Sequence, residues 1–212
     1  RSLTLAVTTL PAAADTQFQI RHKPYLPKSK SVGYYLSGGV LTKDSSVLTS
    51  QKGYYYTNSS EAFFNEKVHI ENPNYSLDSD TLKFNTKTKF ATFYGNTSIY
   101  NEESTIFCNN GTYDTNNQIA TFGRGTKIVN NPQILLADSL YYERNNGYGK
   151  AMRSYDWYDS EMKVSMIGTD AEYFEKERKI FSINRPTLES EIDEDTLFLK
   201  FFGFFNNRVN LD

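Results

Sequence analysis

The stretch "LDSDTLKFNTKTKFATFYGNTSI", Leu77 to Ile99, decides the fold. In its second half Phe93, Gly95, Thr97 and Ile99 alternate with the more polar Thr92, Tyr94, Asn96 and Ser98, the two-residue period of a strand with one apolar face. In its first half the phase changes: Leu77 and Ser79 fall on odd numbers, Leu82 and Phe84 on even ones. A slip of one place at Asp80 predicts a bulge or corner that bends the strand while both halves keep facing one interior. Between Phe84 and Ala91 lies "NTKTKF", a polar loop of hairpin length. The stretch therefore reads as a bent strand, a tight turn and a returning strand.

The same pattern recurs every 29 residues. Leu48, Leu77, Ile106 and Leu135 fall in register, followed by the small residues Ser50, Ser79, Cys108 and Ala137. Next come the polar Gln51, Asp80, Asn109 and Asp138, and then the aromatic Tyr55, Phe84, Tyr113 and Tyr142. The register continues through Ala62, Ala91, Ala120 and Gly149, through Phe64, Phe93, Phe122 and Ala151, and closes on Ile70, Ile99, Ile128 and Trp157. A fixed period of this length marks a stacked architecture in which each unit buries its apolar face against its neighbours. Upstream, "VGYYLSGGVL" from Val32 keeps half a unit. Downstream, "IGTDAEYFEKERKIF" reads as a further hairpin at a stretched offset of 32, which sets Asp170 against Asp138 and Phe174 against Tyr142. A last strand is expected in "DTLFLKFF" from Asp195.

Composition agrees with an all-β chain. Sixteen Tyr and 15 Phe in 212 residues, with abundant Thr, Ser and Asn, suit half-buried pleated surfaces better than helices. A net charge of −2 with interspersed signs excludes a basic nucleic-acid footprint. The single Cys108 makes no internal disulfide, no Cys/His spacing suggests zinc, and no cofactor motif is present. No apolar run approaches the ~18 residues of a membrane helix. The domain reading is an unmatched segment over 1–31, a repeat domain over 32–200 and an unassigned tail over 201–212. In the first segment, "RSLTLAVTTLPAAADTQ" has a basic start, an apolar stretch and small residues before Asp15, like the end of an export signal. Without an initiator Met, the chain is expected to be a piece of a longer one.

A unit of the form L-x-S/A-D-x-L-x-Y/F, polar turn, A-x-x-x-G-N-x-x-I resembles the OstA-like family, the organic-solvent-tolerance-like domains of lipopolysaccharide transport proteins such as LptA. "YSLDSDTLKFNTKTKFATFYGNTSIY" (75–100) and "ILLADSLYYERNNGYGKA" (134–151) carry the resemblance, in a version similar to that of Bacteroidota-type bacteria. It implies an open β-jellyroll of stacked antiparallel hairpins whose apolar interior holds lipid acyl chains, and edge strands that join further jellyrolls or copies of the chain. It implies a periplasmic, outer-membrane-associated protein with no catalytic residues. The expected partner is the lipid A part of lipopolysaccharide, with no nucleic acid and no membrane-spanning segment. Leu77, Phe84, Phe93, Ile99, Ile106, Tyr113, Phe122, Ile128, Leu135 and Tyr142 are the candidate trough-lining residues. At ~4.8 Å per strand, five such units make a trough on the order of 50 Å long.

Taken on their own, these aromatic and aliphatic columns equally fit a closed core with no ligand, as in a cell-surface adhesion or scaffold module. A parallel β-helix enzyme acting on polysaccharide is a further alternative, but the short turns favour antiparallel hairpins and the carboxylates do not recur on one face. His69 reads as a surface residue and Cys108 as a small buried one. Asp80, Asp138, Asn109 and Gln51 form a polar ladder that fits hydrogen bonding to backbone at the bend better than cation binding, and no metal site is expected.

Overall fold

The computed structural model describes residues 32–177, 179–192, 195–200 and 207–210. The expectations for residues 1–31 and for most of the tail beyond 200 lie outside the described residues. The strands in chain order are β1 (Val32–Tyr35), β2 (Gly39–Lys43), β3 (Ser46–Ser50), β4 (Lys52–Tyr56), β5 (Glu61–Asn72), β6 (Tyr75–Asn85), β7 (Phe90–Tyr100), β8 (Thr105–Asp114), β9 (Ile119–Phe122), β10 (Thr126–Asn130), β11 (Gln133–Glu143), β12 (Tyr148–Asp159), β13 (Val164–Gly168), β14 (Asp170–Phe174), β15 (Lys179–Ile183), β16 (Thr187–Ile192), β17 (Asp195–Lys200) and β18 (Asn207–Asn210). Among the described residues the one helical element is a 3-10 turn, Glu175–Glu177. The protein is all-β, and the strand pairs of both units are antiparallel.

The contacts divide the chain into two compact units, one ending at Glu102 and one beginning at Glu103. In the first, β1 pairs with β4, β2 with β3, and β3 and β4 together with β5, which continues into β6 and β7. In the second, β8 pairs with β9 and β10, which together pair with β11. Strand β12 pairs with β11 on one side and with β13 and β14 on the other. Strands β15 and β16 then pair with β14 and β13, and β18 and β17 with those in turn. Each short pair, such as β3 with β4 or β9 with β10, is one bent strand cut in two at its corner. The tail segment Asn207–Asn210 thus adds a strand to the sheet of its unit.

The corner falls where the phase slips. Register shifts lie between Ser79 and Thr81 and between Ala137 and Ser139, and in each case two residues of the returning strand face one of the outgoing strand: Gly95 and Asn96 face Asp80, and Arg153 and Ser154 face Asp138. Such a two-against-one bulge bends a strand and sharpens its twist. The returning residues have positive φ, 80° at Gly95, 64° at Glu66 and 73° at Arg153. The Asp80 carboxylate occupies the space a side chain at Gly95 would need, 2.3 Å from where its Cβ would stand, and accepts the Asn96 N–H at 2.9 Å. Asp138 instead meets the guanidinium groups of Arg124 at 3.0 Å and Arg153 at 3.8 Å.

Small hydroxyl residues line the inside of the corner. Ser79 Oγ lies 3.2 Å from the Thr81 carbonyl oxygen and 2.9 Å from Thr97 Oγ1, which lies 3.1 Å from the Gly95 carbonyl oxygen. Thr126 Oγ1 donates to the Gly123 carbonyl at 2.6 Å and Ser50 Oγ to the Lys52 carbonyl at 3.0 Å. A buried carbonyl left without a partner costs about 1–3 kcal/mol, and these hydroxyls supply one. The column of Ser50 and Ser79 continues through Cys108 and Ala137. Cys108 is its sulfur-bearing member, buried, with burial pushing its thiol up to about 11.

The stretched last repeat differs from its sequence reading in one respect. Asp170 does the work of the acidic corner column, its Oδ1 within 3.5 Å of the Arg153 N–H. The residue in register with Tyr142, however, is Tyr173, because Gly149 pairs with both Tyr142 and Tyr173. Phe174 faces the other way, against Tyr148 and Phe181, with ring centroids 5.4 Å away in each case. On both sides of the corner the last repeat runs at an offset of 31, Gly168 pairing with Tyr155 as Ala137 does (168 − 137 = 31) and Ala171 with Ala151 as Leu140 does (171 − 140 = 31), so an offset of 32 that aligns the acid misplaces the aromatic by one, and one residue inverts the face.

Candidate functional site

Reading across the strands, residues of one face form rungs. In the first unit an aliphatic rung runs Leu41, Leu48, Ile70, Leu77, Ile99. On the other side of the corner a rung next to it runs Tyr35, Gly53, Phe64, Leu82, Phe93, and a rung near the turns runs Gly33, Tyr55, Ala62, Phe84, Ala91. The second unit repeats the scheme. Its aliphatic rung is Ile106, Ile128, Leu135, Trp157, Met166, Leu188; next to the corner come Gly111, Phe122, Leu140, Ala151, Ala171, Ser182; near the turns come Tyr113, Ala120, Tyr142, Gly149, Tyr173, Ile180.

All ten candidate residues lie on these rungs, four in the first unit and six in the second. Leu77, Phe93 and Phe122 are buried, whereas Phe84, Ile99, Ile106, Tyr113, Ile128, Leu135 and Tyr142 are half-buried. At the corner Val68, Thr97 and Thr126 are all but inaccessible, and so is Met166 on the aliphatic rung of the second unit. The candidate lining set left out Leu82, Leu140 and Met166, three of the most buried apolar side chains. Leu82 and Leu140 sit one column from Phe84 and Tyr142 and were legible from the phase change. Met166 lies in the stretched repeat and is placed by its pairing with Trp157.

Along the rungs near the turns, large and small residues alternate. In the second unit Tyr113, Tyr142 and Tyr173 are separated by Ala120 and Gly149, and in the first Tyr55 and Phe84 by Ala62. A Cβ at Gly149 would sit 3.6 Å from Tyr173 Cβ and 3.7 Å from Tyr142 Cδ2, so the rings lean over the strand between them. Their hydroxyls end on turn residues: Tyr113 donates to Gln118 Oε1 at 2.7 Å and Tyr142 to Glu175 Oε2 at 2.8 Å. Burial first, and the Glu175 carboxylate second, raise the Tyr142 phenol well above its ordinary value. The face is apolar in its middle and edged with polar groups.

The opposite face is mixed. In the second unit Tyr141, Tyr148, Phe174 and Phe181 touch in series among Glu143, Lys150, Glu172 and Lys179, and Tyr148 donates to Glu172 at 3.0 Å. In the first unit His69 Nδ1 lies 2.7 Å from Asp78 and Nε2 3.4 Å from Glu71. A shallow cavity of about 460 Å³ beside it is lined by Gly38, Gly39, Val40, Thr49, Ser50, Gln51, Lys67, His69 and Asp78. No group of three or more metal-ligating side chains is gathered among the described residues. No helix among them is long and apolar enough to cross a membrane.

No curated protein matches the chain. Among solved structures, LptH from Pseudomonas aeruginosa, described as the LptA homologous periplasmic component of a lipopolysaccharide transport device, is 17% identical with a TM-score of 0.48. The alignment covers 56% of this chain and 96% of that one. The family model described as OstA-like protein matches residues 27–80 and 76–150, more than half of the chain and the region where the repeat is most regular. The chain belongs to the OstA-like family.

Proposed function

We propose that the chain is a non-enzymatic, periplasmic carrier of lipopolysaccharide in outer-membrane assembly, and that the rungs receive the acyl chains of lipid A. The observation that carries this reading is the half-buried state of the aliphatic rungs. Leu41, Leu48, Ile70 and Ile99, and likewise Ile106, Ile128 and Leu135, keep one apolar side incompletely covered on a face that is otherwise closed at its corner. Covering them with acyl chain yields about 0.8 kcal/mol per buried CH₂. The contacts are non-directional, so a chain of a dozen carbons is retained without a fixed position along the rungs.

Family membership supports the same reading, and a terminal strand joined to a strand of a second copy or of another jellyroll would carry the path onward. The carrier needs no cofactor for this work, and its association with the outer membrane would come through such partners.

Leu135 and Leu136 supply the test. They are adjacent leucines on opposite faces: Leu135 is half-buried on the aliphatic rung, and Leu136 is 45% exposed on the other side. A photoreactive residue placed at each, irradiated with lipopolysaccharide, is expected to label at 135 and not at 136. Equal labelling would reduce the interaction to general stickiness of exposed apolar groups. Labelling at neither would favour a closed-core scaffold.

A further inference from the structure

In the second unit the aliphatic arm is apolar on its outer face as well as its inner one. Opposite the inner rung of Ile106, Ile128 and Leu135, an outer rung crosses β8, β10, β11, β12 and β13 in the order Phe107, Lys127, Leu136, Asp156, Ile167. Two residues along each strand, a second outer rung runs Thr105, Val129, Ile134, Tyr158, Ser165. Phe107, Leu136, Tyr158 and Ile167 are exposed, and Val129 and Ile134 half-buried. The repeat itself does not require this. In the first unit the rung corresponding to the first of these runs Val40, Thr49, His69, Asp78, Ser98, and Asp78 stands two repeats before Leu136. A contiguous exposed apolar face set among charges marks an interaction surface.

The order along the rungs points to the occupant. The first rung alternates apolar and charged residues, and its two charges are opposite in sign. Turned over about an axis along β11, it lays Leu136 on the Leu136 of a second copy, Lys127 on that copy's Asp156, and Phe107 on its Ile167. The same rotation sets the second rung with Ile134 on Ile134, Val129 on Tyr158 and Thr105 on Ser165. Every pair is apolar on apolar, hydroxyl on hydroxyl or cation on anion. Self-complementarity of this kind is what a two-fold dimer contact requires. Two sheets meet face to face about 10 Å apart with strand directions within about 30° of each other, which the axis along β11 permits.

We propose that the outer face of β8, β10, β11, β12 and β13 is a dimer interface, on which a second copy of the chain packs about a two-fold axis along β11. The inference goes beyond the carrier reading and does not depend on it, because the inner rungs take no part in the contact. Five strands at about 4.8 Å by five residues at about 3.4 Å give roughly 400 Å² a side, at the low end for a specific contact. The dimer is therefore weak and reversible, half associated on the order of 10–100 μM.

Sedimentation velocity of the full chain over a range of concentrations tests it, with circular dichroism as the check on folding. Wild type is expected to pass reversibly from monomer to dimer. Leu136→Lys sets two ammonium groups against each other on the axis, and Lys127→Glu or Asp156→Lys sets like charges together at both symmetric contacts. Each is expected to raise the dissociation constant at least tenfold. The decisive sample is an equal mixture of the Lys127→Glu and Asp156→Lys variants. Across a two-fold axis their charges are opposite again at both contacts, so the mixture is expected to form a heterodimer although each variant alone does not. A wild type that stays monomeric up to about 1 mM would overturn the proposal. So would a dimer that persists in all three variants, which places the contact elsewhere, or folded variants whose mixture stays monomeric.

Discussion

Gly95→Ala should cost several kcal/mol although it adds a single methyl group. The residue has φ of 80°, and its absent Cβ would stand 2.3 Å from Asp80 Oδ2 and 2.7 Å from Asp80 Cβ. Left-handed backbone costs a residue with a Cβ about 1.5 kcal/mol. The methyl group also drives out the Asp80 carboxylate, and with it the bond to the Asn96 N–H, which as a bond to a charged group is worth about 2 kcal/mol. The sum, about 3.5 kcal/mol, lowers a urea midpoint by roughly 1.7 M if the slope is about 2 kcal/mol per M. Urea unfolding followed by far-ultraviolet circular dichroism measures it. The decisive comparison is the same change made in an Asp80→Ala background. There the methyl group meets no carboxylate, and only the backbone term of about 1.5 kcal/mol should remain, a coupling of about 2 kcal/mol between the two positions. Additive effects would refute the account of the corner as a carboxylate seated on a glycine.

Raising the pH should unfold the protein through its tyrosines. Burial and then the Glu172 carboxylate push Tyr148 up to about 12, and burial raises Tyr35 and Tyr155 in the same direction. A folded value above the unfolded one, near 10, means a contribution that is complete below about pH 10 and lost as the pH climbs through the folded value. Stability should therefore decline between about pH 10 and 12, with Tyr148→Phe flattening part of the slope; a flat profile over that window would contradict it. Cys108, buried and with its thiol raised to about 11, should react with thiol reagents only on unfolding. Cys108→Ser or Cys108→Ala should cost under about 1.5 kcal/mol, whereas Cys108→Leu should cost about 1–3 kcal/mol by overpacking. Thermal melts of the three variants check the order.

Much of the fold was legible because the strand period and the repeat period constrain each other. The change of parity between Ser79 and Leu82 located the corner to the residue, and the 29-residue register set each candidate on the rung where the structure places it. The chemistry of the corner was half legible. An acid recurring at 80 and 138 signalled a structural role, but whether it would bind backbone, as Asp80 does, or arginine, as Asp138 does, depends on what faces it. The last repeat misled because its acid, Asp170, lies one place beyond the corner column, so aligning it on Asp138 shifted every other column by one. Tyr173 and Phe174, adjacent aromatics on opposite faces, could not be told apart by type.

The unbroken register from Leu48 to Trp157 also makes the protein measurable in units. One added residue within an arm inverts every side chain beyond it, but 29 added residues reproduce the arms, the corner and the turn, and extend the apolar face by two strands, about 10 Å. Length can therefore change by copying and not by drift, and the chain behaves as a ruler with marks one hairpin apart. A variant carrying a second copy of residues 77–105 should fold with two further strands, whereas one carrying a single extra residue after Phe93 should not fold, as circular dichroism and thermal melts would show.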